Sequence, residues 1–130
     1  MSVCSYIYLT ALLEFGFCKE ISKELEMKKT KEDLQSDVLS AICHPNRIRI
    51  IKALQQQALC NCEMMPLIGL EQSNLSRHLK GLEKSGILIS WKEGSRVNYK
   101  IADDRILEIL DLAEKIALKN LRQVKELVES

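Results

Sequence analysis

Cys60-Asn61-Cys62 sets two thiols two positions apart. Such a pair is suited to a soft, thiophilic ion or to a reversible disulfide. A little further on, Gln72, Ser73, Asn74, Ser76, Arg77 and Lys80 crowd amide, hydroxyl and cationic side chains into one short stretch. Asn and Gln can pair bidentately with adenine and Arg with guanine, while Ser and Lys reach base or phosphate. Lys92, Ser95 and Arg96 are phosphate ligands by type. The chemistry on offer is therefore capture of a soft ligand beside recognition of a DNA duplex. Two plainer readings compete: a solvated helix face for the polar stretch, and cysteines packed as small hydrophobes.

The elements around these residues weigh against the plain readings. Leu75, Leu79 and Leu82 fall at i, i+4 and i+7 of a helix starting near Gln72, which turns the polar residues outward. A preceding helix runs from about Cys62 to Ile68, and Gly69 supplies the tight turn between the two. Ser85-Gly86 ends the second helix. Ile87, Ile89 and Trp91 then alternate with Leu88, Ser90 and Lys92; the chain reverses at Glu93-Gly94-Ser95; Val97, Tyr99 and Ile101 alternate with Arg96, Asn98 and Lys100. Helix, turn, helix and basic hairpin in unbroken succession predict a mainly α fold with a small β-hairpin, a winged helix-turn-helix whose second helix enters a major groove.

The thiol pair sits at the head of the first of these helices. Residues i and i+2 of a regular helix point about 200° apart, so one ion can hold both only if the first turn is frayed. Capture would alter the helix start, and the positive end of the helix dipole favours the thiolate form a soft ion needs.

A length of 130 residues suits one compact domain, and 46% apolar residues can fill its core. The net charge is only +1, yet residues 72–100 set six cations against Glu83 and Glu93, a local basic face of +4. The chain divides into an N-terminal segment 1–32, a winged helix-turn-helix 33–101 and a C-terminal helix 102–130. In the second, Pro45 breaks one helix and begins another, His44 is a helix-end residue, and Arg47 and Arg49 read as surface charges or salt bridges. The C-terminal helix carries Ile106, Leu110, Ala113, Ala117, Leu121, Val124 and Val128, a longer stripe than a small domain covers. It either folds back onto its own domain or pairs with a second copy. Val3 to Phe17 is apolar but contains Glu14, lacks a basic start and is too short to span a bilayer. Either the chain starts naturally near Met27, or this segment is an amphipathic helix packed on a dimer. Without an export signal the five cysteines point to a reducing cytoplasm, free of structural disulfides and without a membrane partner.

Residues 38–101, about half the chain, resemble the ArsR/SmtB repressors. The resemblance is carried by Val38-Leu39-Ser40-Ala41-Ile42-Cys43-His44-Pro45-Asn46-Arg47-Ile48-Arg49-Ile50-Ile51, by Leu75-Ser76-Arg77-His78-Leu79 and by Glu93-Gly94-Ser95-Arg96-Val97-Asn98-Tyr99. It implies a homodimeric repressor on double-stranded operator DNA, dimerised through terminal helices and released by a metal, metalloid or oxidant. It also implies a role for His78 toward DNA or in packing. Arsenic sensors of the family often place a third cysteine one turn after the pair, where this chain has Met65. Arsenic(III) or antimony(III) prefers three sulfurs and cadmium, lead or zinc four donors, so the missing ligand falls to Cys43, or to Cys18 or Cys4 as in the family's cadmium and lead sensors. The family's zinc site on the C-terminal helix finds a match in Asp103, but no histidine follows His78.

Rival functions use the same residues differently. A repressor switched by thiol oxidation or reactive sulfur would join two cysteines, Cys60 or Cys62 with Cys43. A winged helix that binds protein instead of DNA would lack a salt-dependent DNA affinity. No glycine-rich phosphate loop and no nucleophile elbow is present, so no enzyme and no small organic substrate is implied.

Overall fold

Leu75, Leu79 and Leu82 are wholly buried, so the helix that carries them turns its opposite, polar face away from the core, as its spacing demands. The structure is a computed structural model that describes residues 29–130. The expectations placed on residues 1–28, including Cys4 and Cys18, lie outside the described residues. The chain divides between Ser36 and Asp37. Helix α1 (Lys31–Ile42) crosses that division and starts with a reciprocal cap, in which Thr30 N donates to Asp33 Oδ2 at 3.0 Å and Asp33 N to Thr30 Oγ1 at 3.2 Å.

From Asp37 onward the order is α2 (Pro45–Ala53), β1 (Leu59–Cys60), α3 (Asn61–Ile68), α4 (Gln72–Lys84), β2 (Leu88–Glu93), β3 (Arg96–Ile101) and α5 (Arg105–Glu129). Pro45 opens α2, where its missing N–H costs nothing, and His44 caps it, its Nδ1 accepting from Asn46 N at 3.1 Å. Gly69 closes α3 with φ +73°, a left-handed conformation that lets its N–H reach Met65 O at 2.9 Å and the chain turn into α4.

The sheet has one strand more than the hairpin expected from sequence. Its order is β1-β3-β2, all antiparallel, with Leu59 opposite Tyr99 and Cys60 opposite Asn98. Two residues are too few to show an alternating pattern. The hairpin keeps its period of two, with Leu88 and Ser90 paired to Ile101 and Tyr99; Leu88 and Tyr99 are buried, while Ile89 and Trp91 are exposed on the other face. The core gathers Ile50, Ile51 and Leu54 of α2 and its end, Met64 and Ile68 of α3, the three leucines of α4, and Ile106 and Leu110 of α5. Only the first turns of α5 join it. From Asp111 every residue is exposed, among them Leu112, Ile116, Leu121, Val124 and Leu127.

Arg47 corrects one expectation. It is not a surface charge: it is half-buried, its Nη1 donates to Ala41 O at 2.7 Å, and a Cβ on Gly81 would meet its Nη2 at 2.6 Å. The guanidinium thus joins the last turn of α1 to the back of α4, and the space it needs is why a glycine interrupts α4. In an exposed helix Gly→Ala stabilises by roughly 0.5–1 kcal/mol. Here Gly81→Ala is expected to lose that gain by displacing Arg47 from the Ala41 carbonyl. In an Arg47→Ala background the same change should stabilise by about the full helix-propensity amount. Urea unfolding of the four proteins tests this, and an identical effect of Gly81→Ala in both backgrounds would refute the clamp.

Candidate nucleic-acid interface and thiol site

Cys60 belongs to two elements at once. It is the last residue of β1 and the N-cap of α3, with an extended backbone at φ −82°, ψ 164°. The extension cancels the opposed directions that two positions on a helix would impose, and Cys60 and Cys62, with Cα atoms 5.4 Å apart, are joined as a disulfide. The reversible bridge was expected between Cys43 and one of this pair; here the two join each other. Cys43 is an exposed free thiol at the end of α1. Buried Cys60 and exposed Cys62 present the bridge from one side only.

The start of α3 is held by a capping box between Cys60 and Glu63. Glu63 Oε2 accepts from Cys60 N at 2.8 Å. Pro66, inside the helix, has no N–H to give to the Cys62 carbonyl, so one rung of the first turn is absent. Asn61 Nδ2 donates to Ser76 Oγ at 3.3 Å, which ties the thiol segment directly to α4, while Asn61 Oδ1 is buried without a partner. Nothing in the residue types announced Asn61; the signal was its position between two cysteines that must share a helix start.

A cleft of about 500 Å³ collects these parts. Cys60, Asn61, Cys62 and Met65 form one wall, Gln72 and Ser76 of α4 another, and Ser95, Arg96, Val97 and Tyr99 of the wing the third. Along α4, Gln72, Ser73, Asn74, Arg77 and Lys80 are exposed and Ser76 is half-buried. At the wing tip, where Gly94 turns at φ +63°, Lys92, Ser95 and Arg96 are exposed. Ser90 Oγ donates to Glu83 Oε1, fastening the wing to the last turn of α4. The outward residues of α4 and the wing cations thus flank one opening, the arrangement a groove-reading helix and a phosphate-holding wing require.

His78 departs from the set. Its ring centroid is 4.6 Å from that of His44 and its Nδ1 is buried without a partner, so this edge of the ring faces α2 instead of a duplex. Asp103 also goes elsewhere. Arg105 Nε and Nη2 both donate to its carboxylate, and these bonds hold its pKa down at about 2. Among the described residues no three His, Cys, Asp or Glu side chains gather to hold a metal ion, and Cys43 does not line the cleft.

Residues 44–90 match the family described as bacterial regulatory protein, arsR family. The chain is also 32% identical over 87 residues to the HTH-type transcriptional regulator MJ1325 of Methanocaldococcus jannaschii, covering 66% of this chain and 98% of that one. The chain belongs to the ArsR family. That makes it a transcriptional regulator and not an enzyme, and α4 stands where a winged helix-turn-helix carries its recognition helix. The regulator is 35% identical over 68 residues to the cadmium resistance transcriptional regulatory protein CadC of Listeria innocua, 52% of this chain and 57% of that one. A solution structure from Mycobacterium bovis, the homodimeric winged helix-turn-helix DNA-binding domain Mb0332, superposes with a TM-score of 0.62 at 21% identity, over 74% of this chain and 94% of that one. At that identity it shows the shared winged-helix fold.

The seat of the recognition helix makes its stability pH-dependent. Burial disfavours the imidazolium of His78, and His44, Arg47 and Arg77 add repulsion, so its pKa lies below the ordinary 6.5. The unfolded chain therefore takes up this proton first, and stability falls as the pH drops through 6.5 toward the lower folded value. Between about pH 7.5 and 5.5 the parent should lose more urea resistance than His78→Gln. Equal losses in the two proteins would show that His78 is not the group responsible.

Proposed function

We propose that this ArsR-family regulator is a homodimeric repressor that binds operator DNA through α4 and the wing and is released when Cys60 and Cys62 take a thiophilic ion of the arsenite or cadmium kind. The observation that carries the reading is the shared cleft, which the cysteine pair, Gln72 and Ser76 of α4 and Arg96 of the wing all line. Gln72, Ser73, Asn74, Ser76, Arg77 and Lys80 are assigned to the major groove, and Lys92, Ser95 and Arg96 to phosphates. The exposed apolar length of α5 pairs with its own copy around a two-fold axis and spaces two recognition helices for successive major grooves. The homodimeric Mb0332 domain supports the assembly and CadC the class of inducer. The protein works in the cytoplasm, where its operator lies.

The reduced pair supplies two soft donors at the first turn of α3, where Pro66 leaves one rung unmade. To close on one ion the two sulfurs must stay on the same side, which fixes the junction of β1 and α3 and shifts Asn61 against Ser76. The recognition helix then loses its seat relative to the wing. A second reading rests on the disulfide itself: oxidation of Cys60 and Cys62 to the bridge, and its reduction, would switch the same junction with no ion.

Fluorescence anisotropy of the reduced protein on its promoter fragment tests both. Arsenite or cadmium should release DNA from the parent and leave Cys60→Ser/Cys62→Ser bound; tight binding unaffected by either ion would sink the ion reading. A comparison of the oxidised and dithiothreitol-reduced parent, without ions, tests the second reading, which falls if their affinities are equal. Arg77→Ala should weaken DNA binding and lower the slope of log affinity against log salt by roughly one unit. An unchanged slope would remove Arg77 from the interface.

A further inference from the structure

His78 sits on the border between two faces of α4. One turn before it is Asn74, exposed on the outward face; one turn after it is Gly81, which faces Arg47 of α2. The ring takes the α2 side. Its centroid lies 4.6 Å from that of His44 with the planes tilted by 43°, and its Nδ1 is buried without a partner although the residue as a whole is half-buried. We propose that this contact is a proton-gated latch: neutral His78 rests on α2, a proton on it turns the ring to the outward side of α4, and operator binding therefore takes up protons and tightens as the solution is acidified. The inference goes beyond the assignment of α4 to the major groove and rests on it.

The seat on α2 has no place for the proton. An imidazolium donates from both nitrogens, and Nδ1 of the seated ring has no acceptor. His44 cannot become one. Its Nδ1 already accepts from Asn46 N at 3.1 Å, so neutral His44 carries its own proton on Nε2 and has no lone pair to spare. Burial, and then His44 and Arg47 of α2 and Arg77 of α4, all disfavour the charged ring. The carboxylates of α4 and of the elements packed on it are engaged elsewhere: Glu63 of α3 at Cys60 N, Glu83 at Ser90 Oγ and Glu93 of β2 at Trp91 Nε1, while Glu71 stands two turns away at the head of α4. A duplex reverses this balance. Phosphates beside α4 add negative charge and acceptors, and a ring on the border crosses from one side to the other by a change of χ1 rotamer. A pKa that rises in the complex is, by linkage, an affinity that grows as the pH falls.

The test is fluorescence anisotropy of the reduced full chain on its promoter fragment at about pH 7.5 and 5.5 and a single ionic strength. The parent should bind roughly ten-fold more tightly at the lower pH, with a salt slope steeper by about one unit per protomer. His78→Gln should bind equally at the two pH values, whatever its affinity. A measurement on the parent itself guards against a variant that does not fold: the NMR titration of the His78 ring proton should move to higher pH when the fragment is bound. Equal or weaker binding by the parent at the lower pH, an undiminished gain in His78→Gln, or a titration unmoved by the fragment would overturn the latch and leave α4 as the DNA reader. No binding at either pH would overturn both.

Discussion

The backbone at Cys60 is the constraint on which the rest depends. One extended residue ends a strand and caps a helix, so the sheet, α3 and the thiol pair cannot move independently. Its partner across the sheet is Asn98 of the wing strand, and the next residue, Asn61, bonds Ser76 of the recognition helix. A change of angle at this single position is passed in one step to α4 and the wing, the two elements proposed to meet DNA. No long chain of intermediates is needed, and none has to be assumed.

The energies involved are small and of matching size. A hydrogen bond such as Asn61 to Ser76 or Cys60 to Glu63 contributes about 0.5–1.5 kcal/mol, and a coupling between two sites is typically 1–3 kcal/mol. In the proposed switch, disturbing both bonds at the head of α3 would be of the size needed to change DNA affinity. The rung that Pro66 removes works in the same direction, because a helix start with fewer bonds of its own yields to whatever holds its cysteines. The packed leucines of α4 resist. Truncating one such buried leucine costs about 2–5 kcal/mol, so the recognition helix moves as a body or not at all.

Much of this was legible in the residues. The leucine spacing of α4, Gly69 and the alternation about Gly94 mark the winged helix because each is a local rule obeyed locally. Two cysteines at i and i+2 likewise signalled that they could act together only at a helix start, and Cys60 stands at the extended N-cap of α3. What stayed hidden depends on distant partners. β1 exists because β3 offers it an edge, and its two residues carry no period. Arg47 looked like a solvated charge because the carbonyl it caps and the glycine it fills lie in two other helices. His78, set among residues suited to DNA, is turned inward by His44, a residue far off in sequence.

The two ends of α5 then follow from the size of the core. Ile106 and Leu110 complete a core shared with α2, α3 and α4, and the turns beyond Leu110 do not join it. A 25-residue helix is about 37 Å long, and the part past Asp111 has apolar residues exposed, among them Leu112, Leu121 and Leu127. Such a stripe is stable in water only when something covers it. In the proposed dimer the cover is the same stripe of a second chain, which makes the spacing of the two recognition helices a property of a rigid helix pair. Tilting α4 within one protomer then misaligns it against a fixed partner, and a displacement too small to break any single DNA contact is enough to spoil the fit of both.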